Sequence, residues 1–72
     1  MTTADAYTLD LALADAREHL ARARERLEAA QKVEQSAMRG CGDDVALTRH
    51  RLSALAIGHL WAETGAIMER LP

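Results

Sequence analysis

Apolar residues in the first half of the chain recur with a helical period. With successive residues set about 100° apart, Leu9, Ala12, Leu13, Ala16, Leu20, Ala23, Leu27 and Ala30 fall on one face. Leu13, Leu20 and Leu27 repeat every seven residues, and Leu9, Ala16, Ala23, Ala30 and Ala37 form a second seven-residue series. Two such series side by side make a heptad seam, here with leucine in one layer and mostly alanine in the other. Glu34 stands where the leucine series would continue, so the seam weakens toward the middle of the chain. No Pro or Gly interrupts the pattern before Gly40, which predicts a helix over about 5–39. Thr2 or Thr3 is its candidate N-cap, with Asp5 in the favourable first turn.

One strong break follows, at Arg39-Gly40-Cys41-Gly42-Asp43-Asp44. Gly40 suits a left-handed helix terminus, Arg39 complements the negative end of the helix dipole, and Asp43 or Asp44 supplies an N-cap oxygen. Stop, turn and start signals lie so close together that the flanking helices are expected to be antiparallel neighbours. The second helix is expected over about 44–69, with residues 40–43 as the turn. Its main apolar face holds Ala46, Ala56, Ile57, Leu60, Trp61, Ile67, Met68 and Leu71. Leu52, Leu55, Ala62 and Ala66 lie toward the other side, and no Asp, Glu, Lys or Arg stands between Leu52 and Ala62.

A helix that is apolar on nearly all sides is normally buried on nearly all sides. One neighbouring helix covers one face. The first helix carries a single stripe and is expected outside, whereas the second carries surplus apolar surface and is expected at the centre of an assembly. The simplest assembly is a two-fold dimer of hairpins, an all-α four-helix bundle. Its expected interface residues are Leu52, Leu55, Ala56, Gly58, His59, Ala62 and Ala66. Ala54, Gly58 and Ala62 also form a row of small residues. A mid-helix Gly costs about 0.5–1 kcal/mol relative to Ala, so Gly58 is a candidate site of close backbone approach. Gly65 is either a second such site or an early helix end.

Composition sharpens this picture. A chain of 72 residues is one domain, marginal alone, and in need of a disulfide, a metal or oligomerisation. Cys41 is the single cysteine, which excludes an internal disulfide and fits a reducing compartment, although Cys41 can still crosslink two chains. The N-terminus lacks a basic start and an apolar core, and no stretch approaches the roughly 20 apolar residues of a membrane span. A cytoplasmic location is the expectation. The net charge of −2 lacks the basic surplus that accompanies nonspecific nucleic-acid binding. At 49% hydrophobic residues, with only Tyr7 and Trp61 aromatic, the core is built from Ala, Leu, Ile and Met, a helical composition.

The candidate chemistry is sparse. His59–Glu63 and Asp15–His19 are i, i+4 pairs able to contribute two metal ligands each, short of the four a structural zinc needs. No Glu-x-x-His pair of the di-iron bundles occurs. His50 reads as an edge-of-core histidine whose ring caps groups near the loop. Cys41 has no neighbouring histidine as a base, and Asp43 and Asp44 disfavour its thiolate. Arg17 and Arg24 flank one side of the seam and Arg22 and Arg26 the other, interleaved with Glu18, Glu25 and Glu28. Glu18–Arg22 and Glu28–Lys32 have the favourable i, i+4 order. No phosphate loop, nucleophile triad or inward carboxylate pair is present. The expectation is therefore no enzyme, cofactor, metal or small-molecule substrate. It is an interaction or assembly module working through the second helix, with itself or a larger protein as partner. A DNA-binding regulator using the first-helix arginines, a subunit docked on a larger protein and a metal-binding bundle using His59 and Glu63 are the alternatives.

Overall fold

The structure is a computed structural model and describes residues 2–71. It contains two helices, α1 (Thr3–Arg39) and α2 (Asp44–Arg70), packed antiparallel, with no strand among the described residues. Thr2 caps α1: its hydroxyl accepts from the Asp5 amide at 3.1 Å, and the Asp5 carboxylate accepts from the Thr2 amide at 3.3 Å. This reciprocal box satisfies two amides that have no partner within the helix. Asp43 caps α2 through the Val45 amide at 3.0 Å. Gly40 ends α1 at φ −91° and ψ 1° rather than in the expected left-handed conformation. A last turn closed by Gly40 N–H to the Ser36 carbonyl at 3.3 Å makes the reversal unnecessary. Gly65 does not end α2, which continues to Arg70.

The hairpin is a rod of 61 × 14 × 14 Å. Its radius of gyration of 17.6 Å compares with about 11 Å for a compact chain of this length. Leu71 reaches Arg17, so the N-terminal turns of α1 project beyond the end of α2. Tyr7, Leu9 and Leu11 on this projection are exposed.

The seam runs through Leu47, His50, Ala54, Ile57, Trp61, Thr64, Met68 and Leu71 of α2, spaced alternately by three and four residues. On α1 it runs through Leu13, Arg17, Leu20, Arg24, Leu27, Gln31, Glu34 and Met38. The expected leucine layer is present. The expected alanine layer is present only toward the turn: Ala30 and Ala37 are half-buried, whereas Leu9, Ala16 and Ala23 are exposed and Arg17 and Arg24 reach across in their place. The faces of α2 shift likewise. Ala56, Leu60 and Ile67, assigned to the face toward α1, are exposed, while Leu47, His50 and Thr64 face inward. A small rotation of each helix explains both corrections, because it brings the long arginine stems and Trp61 into reach across the seam. The first helix consequently has uncovered apolar surface of its own.

Candidate functional site

The inner seam is held by polar anchors as much as by apolar packing. The Arg17 guanidinium donates to the carbonyls of Met68, at 3.4 Å, and Leu71. These lie at the C-terminal end of α2, which carries the negative end of the helix dipole; the Met68 carbonyl also accepts from the Leu71 amide at 3.3 Å. The Arg24 guanidinium lies 3.8 Å from the Trp61 ring centroid, and its Nε donates to the Trp61 carbonyl at 3.3 Å. A Cβ built at Gly65 would lie 2.8 Å from this guanidinium, so Gly65 is a close-packing site for an arginine. Trp61 Nε1 donates to Glu28 at 2.9 Å, which draws Glu28 across the seam instead of toward Lys32. His50 Nδ1 lies 2.7 Å from Glu34, so the edge-of-core histidine is satisfied by a carboxylate rather than by the loop. The Gln31 side-chain oxygen is buried without a partner.

This economy of packing leaves almost nothing buried. Among the described residues Ala54 alone is buried, at 9% exposure. A small domain that buries so little has little hydrophobic stabilisation to set against chain entropy. The accessible surface of 5636 Å² exceeds by about 1,200 Å² the roughly 4,400 Å² expected for a folded monomer of this mass.

Exposed large apolar residues lie on both helices, and the outward face of α2 carries Leu55, the most exposed of them. Leu52 is 62% and Leu55 71% exposed, and Ala56, Gly58, His59, Ala62 and Ala66 are exposed with them. Val45, Thr48, Leu52, Leu55, His59, Ala62, Ala66 and Glu69 are again spaced alternately by three and four residues. This is a second heptad series on the side opposite the first, with one charged residue, at its end. Periodicity revealed the leucines and alanines of this face. Val45 and Thr48 were not assigned to it; the polar run Arg49-His50-Arg51 separates them from Leu52.

Gly58 is not a point of close approach inside the hairpin, since a Cβ there would meet nothing within 4 Å. Its bare backbone opens a shallow groove lined by Leu27, Gln31, Ile57 and Trp61. Ala54, Gly58 and Ala62 do not act as one row: Ala54 faces α1, Gly58 borders the lateral groove between the helices, and Ala62 faces outward.

The remaining polar groups form local pairs. His59 Nε2 lies 2.9 Å from Glu63, His19 Nε2 lies 3.4 Å from Asp15, and Arg22 lies 2.6 Å from Glu18. No third His, Cys, Asp or Glu joins either histidine pair among the described residues. Cys41 is a free, partly exposed thiol whose Sγ donates to the Asp43 carbonyl at 3.3 Å. Arg17 and Arg24 are engaged within the seam, which removes them from the arginine set weighed for DNA contact. No described helix is long and apolar enough to cross a membrane.

The fold and surface define a class: a two-helix hairpin with one face of its second helix uncovered. Comparison of the chain with protein-family models, curated proteins and solved structures finds no match.

Proposed function

We propose that the protein is a small association module whose outward α2 face binds a second copy of the chain. The two hairpins then form a four-helix bundle with both α2 helices at its centre. One observation carries the reading: among the described residues only Ala54 is buried, while Leu52 and Leu55 stand mostly in water. The excess surface of about 1,200 Å² per chain matches what a stable dimer removes, about 800 Å² or more per partner. At 27 residues, α2 presents a face about 40 Å long, enough for several heptad layers. The seam chemistry supports association rather than catalysis, since its polar side chains are committed to structural anchors. A reducing, cytoplasmic setting fits the free Cys41.

The test is sedimentation of the untagged chain together with Leu55→Glu. The wild type is expected as a dimer at micromolar concentration, and the variant as a monomer of reduced helicity. A fully helical wild-type monomer throughout that range contradicts the reading. A chain that folds only with another protein present points instead to a docked subunit.

A further inference from the structure

The outward series on α2 is graded in size. Val45, Leu52 and Leu55 lie in its first half, and Ala62 and Ala66 lie in its second half. A parallel pair of α2 helices would stack leucine on leucine at one end and alanine on alanine at the other. Interaxial distance follows side-chain size over about 8–10 Å, so such a pair would have to splay along its length. An antiparallel pair sets Leu52 on the partner's Ala62 and avoids stacking leucine on leucine or alanine on alanine, which keeps the axes more evenly spaced.

We infer that the two copies meet through antiparallel α2 helices, with the two-fold axis between Leu55 and His59 and flanked by Gly58. This rests on the self-association proposed above. Leu52 then packs on the partner's Ala62, Leu55 beside the partner's His59, and Thr48 beside the partner's Ala66. Three further features agree with this register. Arg49 and Glu63 lie on one edge of the face, and antiparallel order brings Arg49 beside the partner's Glu63, twice by symmetry. Arg49 is exposed and has no ion pair within the chain among the described residues, whereas Glu63 uses one carboxylate oxygen on His59. On the other edge Gly58 faces the partner's Gly58 across the axis, in the open space its missing side chain leaves. A parallel pair would offer Arg49 the partner's Asp44 instead, so charge alone does not choose between the orientations. The size gradient does.

Crosslinking of the full chain reads the orientation. On a Cys41→Ser background, Leu52→Cys and Ala62→Cys chains are mixed in equal amounts under a glutathione redox buffer and resolved by intact mass. Disulfides need Cα atoms within about 7 Å, so only facing positions join. The mixed Leu52→Cys/Ala62→Cys dimer is expected to exceed either like-with-like dimer by about tenfold, which corresponds to about 1.4 kcal/mol between the orientations. Like-with-like crosslinking of Leu52→Cys as the main product overturns the antiparallel register while leaving the dimer intact. Sedimentation of the Cys41→Ser chain alone separates the two failures, because a monomer there removes the dimer itself. In a second readout, Glu63→Arg is expected to weaken the dimer and the double exchange Arg49→Glu/Glu63→Arg to restore it. No effect of Glu63→Arg on association counts against the register.

Discussion

The two faces of α2 are built on opposite principles. The inner face meets a helix whose seam alternates leucine with arginine, glutamine and glutamate, and it is secured by directed contacts. Arg17 holds the last carbonyls, Arg24 lies over Trp61, Glu28 accepts from the indole and Glu34 meets His50. The outer face has almost no directed contacts but carries Leu52, Leu55, Ala62 and Ala66. Directed contacts specify one antiparallel register within the chain and contribute modest stability. Apolar area contributes stability without regard to direction. On the proposed self-association, the hairpin has its shape fixed internally and its uncovered apolar surface placed where a second copy covers it.

The largest effect should come from the outer face. Leu55→Glu removes a leucine worth about 1.5–3 kcal/mol of burial from each chain and places two carboxylates in the interface. Over both copies this weakens the dimer by roughly two to four powers of ten in Kd, measured by sedimentation equilibrium. Arg24→Ala probes the inner face. It removes a cation–π contact and a charged hydrogen bond across the seam, at a cost of about 1–2 kcal/mol, followed by thermal melting and by blue-edge loss of Trp61 fluorescence. If Arg24→Ala were to abolish association while Leu55→Glu left it intact, the division of labour between the faces would be reversed.

Gln31→Leu sharpens the same contrast from the other direction. It replaces a buried oxygen lacking a partner with an apolar group, and a gain of about 1 kcal/mol is expected. The gain should appear in the melting temperature with the dimer constant rising in parallel. Gly58→Ala is the smallest change. Its methyl meets nothing in the hairpin, so helix propensity alone should add about 0.5–1 kcal/mol in dilute solution. At high concentration part of that gain is expected to disappear, where the partner's Gly58 lies opposite.

The two helices and their turn were legible in the sequence, and the N-caps to within one residue (Thr2 or Thr3, Asp43 or Asp44), because each rests on local chemistry: heptad spacing, hydroxyl and carboxylate N-caps, and a glycine-bounded break. The surplus of apolar residues on α2 was equally legible. The rotation of each helix about its axis was not. Ala16 and Ala23 lie about as close to the leucine series as Arg17 and Arg24 do, and a hydropathy pattern scores arginine as polar along its whole length. The structure shows the opposite choice, because the aliphatic stems pack in the seam while the guanidinium heads find carbonyls and a ring that only the folded partner helix provides. Gly65 shows the same limit. Its role is to admit the Arg24 side chain from a residue far away in sequence, which no local signal announces.

The central claim is that one hairpin is incomplete without a second. Sedimentation equilibrium of the untagged chain, from sub-micromolar to hundred-micromolar concentration and with helicity followed in parallel, tests it most directly. The mass should rise to twice 7.9 kDa as concentration increases, with helicity and melting temperature climbing together. A mass fixed at 7.9 kDa with full helicity and a sharp, concentration-independent melt would contradict the account.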